Sequence, residues 1–196
     1  MERSCLPAGR PNCSHPWSAI PVTAPATLDD PWGIYLHIPF CARICPYCDF
    51  NTYAHQEGLI PAYVDALIRE MDVLRDRHGP IPAATFFFGG GTPALMEPEH
   101  IERLVGALRD RFNVASDAEI TLEANPEGLT VERVAGYRAA GVNRLSLGVQ
   151  TLDARGLKVL GRAHKPETPA QAIAAARAAG FDNISLDFIF GWPGQT

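Results

Sequence analysis

An α/β fold with parallel strands joined through helices is what this chain predicts, and three observations predict it. From Trp32 onward, short apolar runs alternate with stretches of helical period. The runs are apolar nearly throughout, as suits strands of a parallel sheet covered by helices. AAGVNRLSLGV (139–149) also lines up with AAGFDNISLDF (178–188), each a helix end, a glycine turn and a strand. Parallel strands in one sheet need right-handed crossovers, which the intervening helices supply.

The elements follow in order. Residues 1 to about 30 are rich in Pro, Ser, Ala and Thr and carry no period, so a disordered N-terminal extension is expected. Cys5 and Cys13 lie in it and read as unpaired thiols, because no His or Cys cluster surrounds them. Residues 31–196 are the expected core domain. Its first strand is 34–38. A helix follows with Ile60, Val64, Leu67, Ile68, Met71 and Leu74 on one face and Pro61 in its first turn. The second strand, 84–88, leads to a helix whose apolar face is Ile101, Leu104, Val105 and Leu108. After the third strand, 120–124, a helix runs from near Thr130 to Gly141. After the fourth, 145–149, Thr168 and Gln171 form a capping-box pair, Pro169 takes the first helical position and Gly180 ends the helix. Leu157 and Leu160, between these, read as core. The fifth strand is 184–190. The chain then ends at GWPGQT, which looks like the start of another strand-to-helix loop, so a core domain lacking its C-terminal part is expected.

Composition narrows the function. A length of 196 residues, 46% hydrophobic and 20% charged, is ordinary for one globular domain. A net charge of −5 argues against a nucleic-acid binder, which needs clustered Lys and Arg. No apolar run is long enough to span a bilayer, and the N-terminus lacks the charged-then-apolar pattern of a secretory signal. A cytoplasmic, reducing setting is the default expectation, and there cysteines read as metal or catalytic ligands before disulfides.

The chemistry gathers at strand ends. Cys41, Cys45 and Cys48 have the spacing C-x3-C-x2-C. Thiolates ligate zinc or iron–sulfur clusters. A structural zinc site needs a fourth ligand, for which His37 or His55 is near in sequence. A [4Fe–4S] cluster held by three thiolates leaves one iron open. GGGTP, with Gly90, Gly91 and Thr92 at its centre, follows the second strand and lets backbone approach a ligand closely. Glu123 ends the third strand, Gln150 follows the fourth and Asp187 lies in the fifth. A buried Asp187 needs a partner, and Arg162 is suited to a bidentate carboxylate contact.

The cysteine stretch, with Tyr47 just before the third cysteine, resembles the cluster motif of the radical S-adenosylmethionine (SAM) superfamily. The resemblance implies a partial radical SAM (β/α) barrel with parallel strands, truncated after about five strands. It implies a [4Fe–4S] cluster on Cys41, Cys45 and Cys48, with SAM chelated by the open iron and cleaved to a 5′-deoxyadenosyl radical. More narrowly, IYLHIPFCARICPYCDFN, FFFGGGTP, ITLEANPE, GVNRLSLGVQTLD, LKVLGRAHKP and NISLDFIFGWPGQT resemble the oxygen-independent coproporphyrinogen III oxidase group and its HemW-type haem-chaperone relatives. On that match SAM binding carries over to Tyr35, Tyr47, Gly90, Gly91, Thr92, Glu123, Gln150, Arg162 and Asp187. Lys158 and His164 match surrounding sequence and carry no assigned role. The oxidase motif has a further cysteine two positions after the third. Here that position is Phe50, as in the chaperone type. The resemblance therefore implies a haem chaperone, with haem or porphyrin as ligand and an electron donor and haem-acceptor proteins as partners. The alternatives are the oxidase itself and a zinc-stabilised or inactive fragment.

Overall fold

The computed structural model describes residues 30–195. The expected N-terminal extension lies, but for Asp30, outside the described residues, and with it Cys5 and Cys13. The strands are β1 Trp32–Ile38, β2 Phe40–Cys41, β3 Tyr53–Ala54, β4 Pro82–Gly90, β5 Asn113–Ala124, β6 Arg144–Gln150 and β7 Asn183–Phe188. The helices are α1 Ile60–His78, α2 Pro98–Arg111, α3 Val131–Ala139, α4 Ala154–Val159 and α5 Thr168–Ala178. One sheet runs in the order β1-β4-β5-β6-β7, every pair parallel, as expected of a partial barrel. A two-residue pair, β2 with β3, stands apart and brackets the cysteine stretch.

Alternation within the strands sorts the two faces of the sheet. Leu36, Ile38, Phe86, Phe88, Ile120, Leu122, Leu145 and Leu147 are buried. They share one core with Val64 and Met71 of α1, Ile101, Leu104 and Leu108 of α2, Val134 and Tyr137 of α3, and Ala172 and Ala176 of α5. At intervening positions the register aligns Tyr35, Phe87, Thr121 and Arg144, then Glu123 with Ser146 and Ser185, then Gly148 with Asp187. Side chains two apart share a face. The helix-covered face is therefore apolar, and the other turns polar toward the strands' C-terminal ends.

Several boundaries differ from expectation for definable reasons. β5 starts at Asn113 because residues 115–118 form a bulge, so that Ala83 faces Val114 while Thr85 faces Glu119. The bulge is held by the Asn143 side chain, which accepts from Ile120 N–H at 2.7 Å and donates to Ala118 O at 2.8 Å. β7 stops at Phe188, before the expected Phe190. The capping box is not formed. Glu167 is the N-cap of α5 without a side-chain bond, and the Thr168 hydroxyl accepts from the Lys165 N–H at 3.1 Å instead. Thr130 does cap α3, accepting from Arg133 N–H. Leu74 ends the α1 stripe partly exposed, while Leu157 and Leu160 are buried as expected.

Tyr137 ties this scaffold to the glycine turn. Its ring is fully buried, and its hydroxyl lies 2.8 Å from both Ala94 O and Met96 O and accepts from Arg133 Nε at 2.8 Å. Burial pushes that hydroxyl's pKa up to about 12, so it stays a donor. Tyr137→Phe leaves two carbonyls and a guanidinium N–H without this partner. A loss of about 1–3 kcal/mol is expected, measured by urea denaturation.

Candidate functional site

The cysteine loop leaves the end of β1 and is pinned by backbone on both sides. Gly91 N–H donates to Ile38 O at 2.8 Å, Thr92 N–H to Phe40 O at 2.8 Å, and Tyr53 N–H to Pro39 O at 2.7 Å. Within the loop, Cys48 N–H donates to Cys45 O at 3.0 Å and closes a turn. All three cysteines are free thiols. Cys41 is buried, and burial pushes its thiol pKa up, opposed by hydrogen bonds from Thr92 and Thr52. Cys45 and Cys48 are half-buried.

These thiols line a cavity of about 260 Å³ at the C-terminal ends of the strands. Gly90, Gly91, Thr92, Glu123, Gln150, Arg162, Asp187 and Tyr47 line the same cavity, so the fold gathers all but one of the residues expected in the site. The exception is Tyr35. It lies on the same sheet face, with its ring stacked 6.1 Å from Phe87 and its hydroxyl 3.1 Å from His37 Nδ1, and does not line the cavity. Nor do His37 and His55. His37 Nε2 donates to Asn51 O at 2.9 Å.

Each polar group in the cavity has a definite setting. Glu123 accepts from Gly90 N–H at 3.1 Å. Burial pushes its carboxyl pKa up, Gly90 opposes this, and the charge of Asp187 adds to it. Asp187 accepts from Ser146 Oγ at 3.0 Å. Asp187 itself is exposed on β7. Gln150 sits at φ 65° in the left-handed region, where a register shift between Gly148 and Gln150 turns the chain out of β6. Positive φ costs a non-glycine residue energy and marks a position over-determined by its surroundings.

Arg162 is the centre of the far wall, and its side chain is only 5% exposed. Its Nη2 donates to Gly148 O at 2.9 Å and to Asn125 Oδ1. Its Nη1 faces the cysteine loop, 3.5 Å from Tyr47 Oη and 3.9 Å from Cys45 Sγ. Burial raises the Tyr47 hydroxyl pKa to about 12, against the pull of Arg162. The turn before Arg162 packs on the same loop. Arg43 Nη1 donates to Gly161 O at 3.2 Å, and a Cβ on Gly161, at φ 64°, would lie 2.6 Å from Pro46 Cδ.

Four contributors were not read from sequence: Asn125, Ser146, Glu127 and His164. Asn125 and Glu127 stand in the LEANPE stretch just past the end of β5, and that position was the available signal. Glu127 lines the cavity and faces His164, whose Nδ1 is 3.3 Å from Glu127 Oε2. Burial raises the Glu127 pKa, but His164, its own N–H and Arg162 outweigh this, and the carboxyl titrates below its ordinary range.

Comparison with known proteins bears on the family and the fold. The Radical SAM superfamily profile matches residues 35–196. The chain is 43% identical over 163 residues to a protein named "Heme chaperone HemW" from Bacillus subtilis, covering 83% of this chain and 43% of that one. It is 40% identical over 168 residues to the protein of the same name from Escherichia coli, covering 85% and 44%. The chain thus spans less than half the length of these relatives. Among solved structures, the radical SAM enzyme coproporphyrinogen III oxidase (HemN) from Escherichia coli superposes with a TM-score of 0.79 at 33% identity, over 87% of this chain and 39% of that one. The family match runs through β1, the cysteine loop, the glycine turn and every later strand, and this chain therefore belongs to the radical SAM superfamily.

Proposed function

We propose that this chain is the cluster- and SAM-binding core of a haem chaperone of the HemW type. The observation that carries the choice is Phe50. It is 71% exposed and lines the cavity at the position where the oxidase motif places a further thiol. The names and identities of the relatives support the same choice.

The donor set fits the cofactors that the superfamily implies. The three thiols share the cavity wall, and neither His37 nor His55, the expected sources of the fourth ligand a structural zinc needs, lines it. That counts against the zinc alternative. When bound, a [4Fe–4S] cluster and SAM would supply one-electron chemistry. The residues of this chain do the rest. Cys41, Cys45 and Cys48 ligate. The Gly90–Gly91–Thr92 backbone lets a ligand approach without a side chain between. Glu123 and Asp187 present carboxylates to a cationic group, Arg162 presents a guanidinium to an anionic one, and Gln150 and Tyr47 close the rim. Tyr35 contributes through its packing on Phe87 and His37. The expected partners are haem or a porphyrin, an electron donor and a haem acceptor. Among the described residues no helix is long and apolar enough to cross a membrane.

The second reading is the oxidase, favoured by the superposition on HemN. One experiment separates the two. The protein is reconstituted anaerobically with iron and sulfide, titrated with haem, and assayed with SAM and coproporphyrinogen III. Haem binding without porphyrinogen turnover is the expected result. Turnover with release of carbon dioxide and no haem binding would replace the chaperone with the oxidase.

A further inference from the structure

Beside Arg162, half-buried Glu127 on the cavity wall faces the buried imidazole of His164, a pair that the cofactor assignment does not use. His164 is fully buried, Glu127 is 38% exposed, and their facing atoms are 3.3 Å apart. His164 Nε2 lies 3.1 Å from Val149 O. A carbonyl only accepts, so Nε2 carries a proton and donates it. Nδ1 and Glu127 Oε2 have no well-aligned hydrogen-bond partner, although both are buried atoms. One proton shared between them satisfies both, and leaving either bare is costly.

The same carboxylate oxygen is 4.0 Å from Arg162 Nη2. That is the outer edge of an ion pair and too long for a hydrogen bond. Nη2 already serves two neutral acceptors, Gly148 O and Asn125 Oδ1. Nη1 has only the long contacts to Tyr47 and Cys45, and Nε is buried with no partner. A buried guanidinium with a carboxylate this close would ordinarily pair with it in a bidentate fork. Here the carboxylate oxygen lies nearer the imidazole, at 3.3 Å, than the guanidinium, at 4.0 Å.

We propose that His164 is a latch that restrains Glu127, so that the positive charge of Arg162 stays free for an anionic group of the ligand in the cavity. This rests on the cavity being the SAM site. His164 does not line the cavity and is a positioning residue acting through Glu127 and Arg162. The anchor is rigid. Val149, whose carbonyl holds the ring, is a buried residue of β6.

The test measures binding to the cluster-reconstituted protein by equilibrium dialysis, with two probes. SAM carries a carboxylate, while 5′-methylthioadenosine has the same nucleoside and no amino-acid group. In His164→Leu the freed Glu127 pairs with Arg162. SAM should then bind about tenfold more weakly, a size typical of competition by one buried charge pair, while methylthioadenosine binding is unchanged. Adding Glu127→Gln to His164→Leu should restore SAM binding. Glu127→Gln alone, which leaves the buried ring untouched, should bind SAM no more weakly than the parent. If Glu127→Gln alone weakens SAM, the carboxylate is itself a ligand and the latch is wrong, whether or not the histidine variant folds. Equal weakening of both probes in His164→Leu, without rescue, would mean lost packing and also overturns it. A parent protein that binds no SAM removes the cavity assignment and the latch together, whereas a parent that binds and a His164→Leu that binds equally well removes the latch alone.

Discussion

Cys45→Ala should strip the protein of its iron while leaving its fold in place. The cysteine loop contributes little to the core. Its regular structure is the two-residue pairing of β2 with β3, and its turn, Cys48 N–H to Cys45 O, is made by backbone that alanine retains. The Cys45 thiol is half-buried, with Arg162 Nη1 at 3.9 Å and the Tyr47 hydroxyl also against it. Substitution at such a position shifts stability by about 0.5 kcal/mol or less. The effect on metal is of another order, because three thiolates are the whole protein ligand set on this reading, and two leave a second iron open. After anaerobic reconstitution, iron per chain and the visible iron–sulfur absorbance are expected at background level, and SAM binding should be lost with them. The melting temperature of the unreconstituted variant should match that of the parent. Iron content equal to the parent's in Cys45→Ala, and likewise in the Cys41 and Cys48 variants, would end the cluster assignment.

How much of this was legible in the sequence follows from which forces act locally. The parallel strands were legible because each needs an apolar run against the helices, and Phe86, Phe88, Leu122, Leu145 and Leu147 supply it. The stripe Ile101, Leu104, Val105 and Leu108 was legible for the same reason, and all four are buried. The first half of β5 was not, because its bulge is exposed and polar around Ser116 and Asp117 and is held by an asparagine 25 residues on from Ala118, far beyond any local period. Thr168 was misread because its hydroxyl can serve the backbone before it as well as the helix after it. The cysteines, the glycine turn, Glu123, Gln150, Arg162 and Asp187 were legible through motif resemblance and their places at strand ends. Tyr35 was assigned by resemblance alone, and the fold puts it one step outside the cavity. The Glu127–His164 contact was invisible, since two loops that are ordinary in isolation are joined only by the order of strands β5 and β6.

Gly91→Ala should damage the site and the fold at once, and the reason is geometric. A Cβ at Gly91 would lie 2.6 Å from Phe40 O and 2.9 Å from Cys41 Sγ. The first of these is backbone and cannot rotate away. Nor can the turn slide, because Gly91 N–H is held by Ile38 O and Thr92 N–H by Phe40 O, both at 2.8 Å. The added methyl must push the glycine turn off the cysteine loop or break one of those bonds, and overpacking of this kind costs about 1–3 kcal/mol. Cys41 moves in either case, so iron incorporation should fall together with stability, unlike the separation expected for Cys45→Ala. Gly106 is the internal comparison. It lies exposed within α2 and a Cβ there meets nothing within 4 Å. Gly106→Ala should therefore stabilise the chain by about 0.4–1 kcal/mol through lost unfolded-state freedom and better helix propensity, with iron loading unchanged. The two glycine-to-alanine changes are thus expected to differ in sign, read side by side in urea titrations and iron assays. A Gly91→Ala protein as stable and as iron-replete as its parent would mean that the glycine turn and the cysteine loop are not in the contact described, and the cavity built on that contact would have to be abandoned.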